Sequence, residues 1–316
     1  VLECCFEGRT VGLAVIGAGQ VKRRSGVSSR ALLVSETGIE MLDHITVEHS
    51  GILAERGREE DVVRQCLGYL SRDRGWDELY VRGVESTHVA RYRSGLGSAK
   101  VELLTEAQYP YYTVDLNKSG RSVLDGVSAN TRYQIRRSLR RYEADWGTVH
   151  VTAATTLQEA NMYFDALLVM HQASWNKRGE PGAFHTHYAI NFHKGIIGKA
   201  FERGEIQLLK IAAGDYVFGY LYNFVYAGTV SSYQSAFDFQ DSPHLKPGLV
   251  SHTFAIDHNA RLAHQCYDLL QGEQQYKRSL TNHTGQMVSL ILRRPRVKFR
   301  LESLLVAAYR SVRRKK

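Results

Sequence analysis

The amino-acid sequence predicts an α/β fold in which one unit occurs twice. Two observations carry this. The order hairpin, strand, helix, strand is met near the start and again about 200 residues later, which is how a duplicated unit reads in sequence. A chain of 316 residues is also long for one domain and comfortable for two.

The elements follow in order. "LECCFEGRTVGLAVIG" is two apolar runs around a turn at Gly8 and Arg9, a β-hairpin signal. A strand at 31–35, a helix at about 59–71 and the apolar strand "DELYVRGV" complete the first copy. Next comes "SANTRYQIRRSLRRYEADWG", a helix with Arg132, Arg136 and Arg140 at i, i+4 and i+8. Arg137 and Arg141 widen this ridge, and no acid offsets it before Glu143. It reads as a solvated charged face or as a grip on an anionic group, since guanidinium forks match phosphate and carboxylate. In "TLQEANMYFDALLVMHQASW", Leu157, Ala160, Phe164, Leu167, Leu168, His171 and Trp175 share one helical face. Thr156 with Glu159 three residues later is a capping box. The second hairpin, "IQLLKIAAGDYVFGYLYNFV", turns at Gly214 and Asp215. A strand at 229–237, a helix at about 248–264 and the strand "CYDLL" close the second copy. The first copy has no helix ahead of its hairpin, which points to a missing N-terminal portion.

The expected domains are therefore 1–112, a first half incomplete at its start; 113–147, the arginine-rich connecting helix; 148–292, the half carrying the site; and 293–316, a basic tail.

Composition narrows the class. The chain is 43% apolar and 23% charged, with no run of about 18 apolar residues to cross a membrane. It begins at Val1, and no signal peptide is visible. Cys4, Cys5, Cys66 and Cys266 suit neither a metal pair nor a disulfide framework, so buried reduced thiols in a cytoplasmic protein are expected. The thirteen histidines are dispersed, and "HTH" at 185–187 lacks partners at ligand spacing, so no metal is expected. The net charge of +9 lies wholly in 293–316, which hold ten basic residues and the single acid Glu302. There Leu301, Leu304, Leu305, Ala308, Tyr309 and Val312 share one helical face, flanked by Arg300, Arg310 and Arg313. Such a basic amphipathic helix fits an anionic membrane surface, tRNA or another polyanion, or docking on the body with its charges in water.

Four stretches of the second half, taken together, are more specific: "HQASWNKRGEPGAF", "YQSAFD", "LKPGLVSHTFAID" and "YDLLQGEQQYK". With the "RYQIRRSLRR" helix, the series resembles the GNAT-superfamily acetyltransferases of the cellulose-biosynthesis (CelD-like) type, related to the Fem aminoacyltransferases. The matching positions are His171, Trp175, Arg178, Gly179, Gly182, Ala183 and Phe184, then Phe237–Asp238, Pro247–Gly248, and Asp268, Gly272, Tyr276 and Lys277. Met170 stands where leucine is usual, and the Q/R-x-x-G-x-G/A loop is absent. The resemblance implies an α+β fold of tandem GNAT-like domains, each a mixed, mostly antiparallel sheet flanked by helices. It also implies acyl transfer from acyl-CoA such as acetyl-CoA, or from aminoacyl-tRNA in the Fem branch, to an amine or hydroxyl. The acceptor would be a cell-surface polysaccharide precursor or a small metabolite. The setting would be the cytoplasm or the inner face of the membrane. A non-catalytic, ligand-binding GNAT-like protein is the alternative from another class.

The residues supply chemistry beside this. Pro247 suits a first helical turn, and the backbone N–H groups of Gly248 and Leu249 with the charge of Lys246 make a pyrophosphate site. Residues 267–270 would splay from the neighbouring strand to admit a thioester arm. Lys277 would then face a donor phosphate or the charge developing on the carbonyl oxygen. Tyr276 would pack on the donor or protonate the leaving thiolate. Asp238, Asp268 and His171 are candidate bases, with Asp268 alternatively holding its strand. Trp175, Arg178, Phe184 and Tyr233, with His171, Arg132 and Arg136, are the candidate acceptor-binding set. His171, Trp175 and Phe184 equally suit a closed core. No G-x-S-x-G or Cys/His pattern offers a covalent intermediate, so direct transfer is expected.

Overall fold

The computed structural model describes residues 1–23, 25–39, 41–43, 48–97, 100–117, 122–240, 242 and 244–313, without the side chains of 307–313. The sequence reading of Ala308, Tyr309, Arg310, Val312 and Arg313 as parts of one helical face lies outside the described side chains. The chain forms two compact units, Val1–Tyr109 with Gln286–Lys316, and Pro110–Gly285.

The first unit opens on β1 (Leu2–Phe6), β2 (Arg9–Ala14), β3 (Ile16–Lys22) and β4 (Ser28–Val34), then β5 (Leu53–Ala54), α1 (Glu59–Arg72), β6 (Glu78–Glu85), α2 (Val89–Gly95) and the start of β7 (Glu102–Asp115). The β1–β2 turn is Glu7–Gly8, both at positive φ, one residue before the predicted position. Positive φ at both central residues is what a tight hairpin requires. β1, β2 and β5 make a small sheet, while β3, β4 and β6 lie side by side in a mixed one. β4 and β6 run parallel and pair over three residues, Ala31–Glu78 to Leu33–Tyr80, joined through α1. Val63, Leu67 and Leu70 of α1 pack on Leu79 and Val81, the apolar stripe meeting the strand it covers.

The second unit takes the end of β7, then α3 (Val123–Gly126), α4 (Ala129–Trp146), β8 (Val149–Ala153), α5 (Leu157–Asn176), α6 (His187–Ala200), β9 (Ile206–Ala213), β10 (Tyr216–Tyr226), β11 (Thr229–Phe237), α7 (Pro247–Arg261), β12 (Cys266–Gln271) and α8 (Gln275–Leu280). Its strand order is β7-β12-β11-β10-β9-β8. β8 to β11 form an antiparallel meander, and α7 crosses over to bring β12 parallel to β11. Side chains of α4 and α7 cover one face with Leu209, Ile211, Phe218 and Val230; α5 and α6 cover the other with Leu208, Tyr222 and Ala236. α5 starts as its cap dictates: the Thr156 hydroxyl accepts the Glu159 N–H at 3.1 Å, and the Glu159 carboxylate accepts from Thr155.

The chain then returns to the first unit with β13 (His283–Arg293) and α9 (Val297–Arg313). β13 pairs antiparallel with β6, from Met287–Glu85 to Arg293–Glu78. Both units therefore hold a mixed sheet flanked by helices, with strand, helix and parallel strand in each, but the predicted first hairpin, β1–β2, pairs with β5 in a separate small sheet, whereas β9–β10 lie in the main sheet of their unit. Buried Asp77 and Glu78 anchor the return: Asp77 takes Arg30, Arg296 and Lys298, and Glu78 takes Arg23 and Arg293. Burial alone would raise the Asp77 carboxyl; the bonds from Arg30 and Lys298 overcome that and hold it well below the usual carboxylate range.

Candidate active site

β11 and β12 touch over three residue pairs, Thr229–Cys266, Val230–Tyr267 and Ser231–Asp268, and then part. β11 continues to Phe237 against β10, and β12 continues to Gln271 against β7. The parting has a local cause. β12 bulges between Asp268 and Leu270, where Leu270 takes φ +62°, a left-handed conformation that costs an L-residue about 1–2 kcal/mol. The buried Asp268 carboxylate accepts the Leu270 N–H at 2.7 Å and offsets that cost. Of the roles the sequence offers Asp268, holding the strand is the one this bond supports.

α7 begins beside the opening. Pro247 occupies its first turn and Lys246 is its N-cap, with no side-chain cap bond. The Lys246 N–H instead donates to the Ser138 hydroxyl of α4 at 3.0 Å. Two glycines let α7 approach the sheet. A Cβ on Gly219 of β10 would lie 2.6 Å from Ser251 Oγ, and one on Gly248 would lie 3.2 Å from the Phe237 ring. Pro247, Gly248 and Leu249 are buried, so their end of the dipole is sheltered, and an anion bound there gains more than it would in open water.

Behind Phe237 lies a polar cluster in which Tyr276 and Lys277, both expected at the site, meet His252, which the sequence reading missed. His252 of α7 is fully buried and stacks flat on Tyr276, with centroids 4.7 Å apart at 7°. Its ring meets Phe237 edge-on at 5.8 Å, and Nδ1 lies 3.3 Å from the Tyr267 hydroxyl. Among the described residues its buried Nε2 has no hydrogen-bond partner. Burial, and then the charge of Lys277, push the His252 imidazole down to about 3, so it is neutral at pH 7. Burial raises the Tyr276 and Tyr267 phenols, and both stay protonated. Lys277 lies within α8, buried, donating from Nζ to the Gln271 carbonyl. Next to the cluster a buried amide ladder ties three elements. Asn223 donates to Gln207 at 2.9 Å, Gln207 donates to Asn259 at 2.9 Å, and Asn259 donates to Gln207 at 3.1 Å.

The other candidates fall in three places. Asp238, half-buried at the end of β11, accepts from the Tyr216 hydroxyl at 2.7 Å and from Gln240 at 2.8 Å; Tyr216 in turn stacks on Trp146 at 4.4 Å. Arg132 spends its guanidinium on backbone carbonyls, with Nε to Leu124 at 2.8 Å and Nη2 to Val127 at 3.1 Å, while Arg136 is exposed. The remaining five lie with α5, α6 and the sheet face those helices cover. His171 sits between Trp175 and Phe184, at 5.7 and 5.1 Å, and Arg178 lies 5.2 Å over the Trp175 ring. Tyr233 lies beside His193, whose Nδ1 and Nε2 are each 3.4 Å from a hydroxyl, that of Tyr222 and that of Tyr233. Burial pushes His171 and His193 down to about 4, with Arg178 adding to the effect on His171. His193 was legible in principle: Ala189, His193, Ile197 and Ala200 mark the buried stripe of α6.

Gly182 explains itself at this cluster. It holds φ +75°, and a Cβ there would lie 2.9 Å from both His171 Cε1 and Trp175 Cγ. Gly182→Ala is expected to cost about 1–3 kcal/mol, read as a lower urea midpoint with an unchanged slope. A cavity of about 670 Å³ lies at the far end of α7, lined by Thr156, Leu157, Gln207, His258 and Leu262 among others. None of the sequence-predicted site residues lines it.

No curated protein matches the sequence. Several solved structures share the fold over nearly the whole chain. FemX aligns at 9% identity and TM-score 0.55, over 90% of this chain and 86% of its own. The C-terminal domain of a putative lysylphosphatidylglycerol synthetase from Agrobacterium fabrum aligns at 10% and 0.53, over 92% and 88%. L-PGS from Bacillus licheniformis aligns at 10% and 0.53, over 93% and 89%. The CelD-like subtype that the sequence suggests is not among these likenesses. Residues 129–278, which carry the parting strands, α7 and both histidine clusters, match the family model of the acetyltransferase (GNAT) domain, and the mixed sheet flanked by helices that holds them is a GNAT-like fold.

Proposed function

We propose that the chain is an acyltransferase that moves an acyl group from acyl-CoA to an amine or hydroxyl, by direct attack on the thioester. The acceptor belongs to a cell-surface polysaccharide precursor or a small metabolite. The observation that carries this reading is the parting of β11 and β12 beside the N-terminus of α7. An extended thioester arm takes the place of the missing strand pairing, and its phosphates meet Lys246, Gly248 and Leu249. The acceptor nitrogen or oxygen attacks the carbonyl carbon, the C–S bond breaks, and the leaving thiolate takes the Tyr276 proton. Burial keeps that phenol protonated, and the Phe237–His252 wall holds its ring. Buried Lys277 supplies positive potential to the same cluster. The proton lost by the acceptor goes to Asp238, which is half-exposed, whereas Asp268 is committed to the bulge.

One observation favours a second donor. The sequence lacks the Q/R-x-x-G-x-G/A loop, and FemX is among the structures of like fold. Aminoacyl-tRNA delivers the same activated carbonyl as an ester, and the transfer step balances in the same way, with a hydroxyl leaving.

Thermal shift separates the two. Acetyl-CoA or a longer acyl-CoA at about 100 times its Kd is expected to stabilise the protein by about 2.7 kcal/mol. Lys246→Ala is expected to reduce that shift. No shift with any CoA species, together with retention of charged tRNA on a filter, transfers the reading to the second donor. Silence in both overturns catalysis and leaves a ligand-binding protein.

A further inference from the structure

We propose that the outward face of α9 lies on an anionic lipid surface. α9 is held by one side. Phe299 is buried among Arg23, Arg293 and Lys298, whose cationic groups lie 5.5, 4.9 and 5.2 Å from its ring centroid. Glu302, one turn on, is buried and paired with Arg23 Nε at 2.8 Å. The opposite side carries Val297, Leu301, Leu304 and Leu305, which are 73, 54, 67 and 70% exposed. Their spacing of i, i+4, i+7 and i+8 makes one continuous stripe. Single exposed leucines need no explanation, but an ordered row on one helical face does.

Charge selects the occupant. Glu302 is the single acid of residues 293–316 and is already paired with Arg23. Arg300 is exposed beside the stripe, and the sequence beyond it adds Arg310, Arg313, Arg314, Lys315 and Lys316. Exposed leucines beside Arg300, in a segment whose sequence adds five further cations and no further acid, match acyl chains beneath anionic headgroups. A nucleic acid would satisfy the cations and leave the leucines in water. A second copy would satisfy the leucines and set two basic segments against each other. No helix among the described residues is long and apolar enough to cross a membrane, so α9 lies along the surface instead of through it.

Flotation of the full chain with phosphatidylcholine vesicles, with and without about 30 mol % phosphatidylglycerol, tests this. Binding is expected on the anionic vesicles and to fall about tenfold or more on neutral ones or in about 0.5 M salt. The double variant Leu304→Glu/Leu305→Glu alters side chains that are already exposed, so its circular dichroism spectrum and Tm should match the parent. Its vesicle binding should fall about tenfold or more. The proposal is overturned if the parent ignores anionic vesicles or the variant binds them as well as the parent. It is also overturned if the substitutions abolish tRNA retention or a concentration-dependent dimer and leave vesicle binding intact.

Discussion

Tyr276→Phe is expected to lower kcat for acyl transfer by about 10²-fold or more and to leave the KM for the acyl donor within about threefold. The ring and the hydroxyl do separate things. The ring lies parallel to His252 at 4.7 Å, and phenylalanine keeps that contact. The hydroxyl is the proton that leaves with the thiolate, so its loss acts on the transition state and spares the bound ground state. Release of free thiol from acetyl-CoA in the presence of amine acceptors measures the rate, and a melting curve controls for structure. An unchanged kcat would remove Tyr276 from the chemistry; a lower kcat with an equally lowered Tm would make it a packing residue. His252→Phe is the informative companion. It fills the same space beside Phe237 and Tyr276 but deletes the Nδ1 contact to Tyr267 and the unpartnered Nε2. An effect on kcat there without loss of Tm marks the imidazole as a positioning group for the Tyr276 hydroxyl.

The framework of this site was legible because it is written in short-range chemistry. Gly214–Asp215 between two apolar runs announces β9–β10, Thr156 with Glu159 announces α5, and Lys246–Pro247–Gly248 announces α7. The pairing of β13 with β6 was not legible. It joins residues about 200 apart in the chain, and nothing in "MVSLILR" says which strand it will meet. His252 escaped, and so did the burial of Lys277, for opposite reasons. A histidine inside an apolar helix reads as core, and no sequence pattern shows that its Nε2 is left without a partner among the described residues. A lysine after "QGEQQ" reads as solvent-facing, because burying an ammonium group is costly unless a partner waits for it. Here the Gln271 carbonyl is one such partner, and the six-residue helix that presents Lys277 to it has too few residues to show a period. Arg132 misleads in the same way: spacing puts it on a cationic ridge, yet its donors close the carbonyls of 124–127.

The second unit is expected to be the acid-labile one. His171, His193 and His252 are all buried, and burial holds them at about 4, 4 and 3. Unfolded, each titrates near 6.5. Below that pH the unfolded chain binds more protons than the folded one, so stability falls as pH falls from about 6.5 towards the folded values. At pH 5 each histidine costs about 2 kcal/mol relative to pH 7, and the three together cost about 6 kcal/mol. For a unit of this size that is a Tm drop on the order of 12–24 °C. Asp77 of the first unit has the same sign but a later onset. Its folded value is depressed below an ordinary carboxylate near 4, so its contribution is lost below about pH 4, after the histidines have acted. Melting curves between pH 7 and 5 measure the slope. His171→Phe isolates one share of it: Nδ1 has no partner to lose, the new ring fits between Trp175 and Phe184, and about a third of the pH dependence should vanish. A parent Tm that holds level from pH 7 to 5 would mean that the three imidazoles reach solvent and protonate in place. The wall behind Tyr276 would then be wet, and a dry site for the thioester would lose its physical basis.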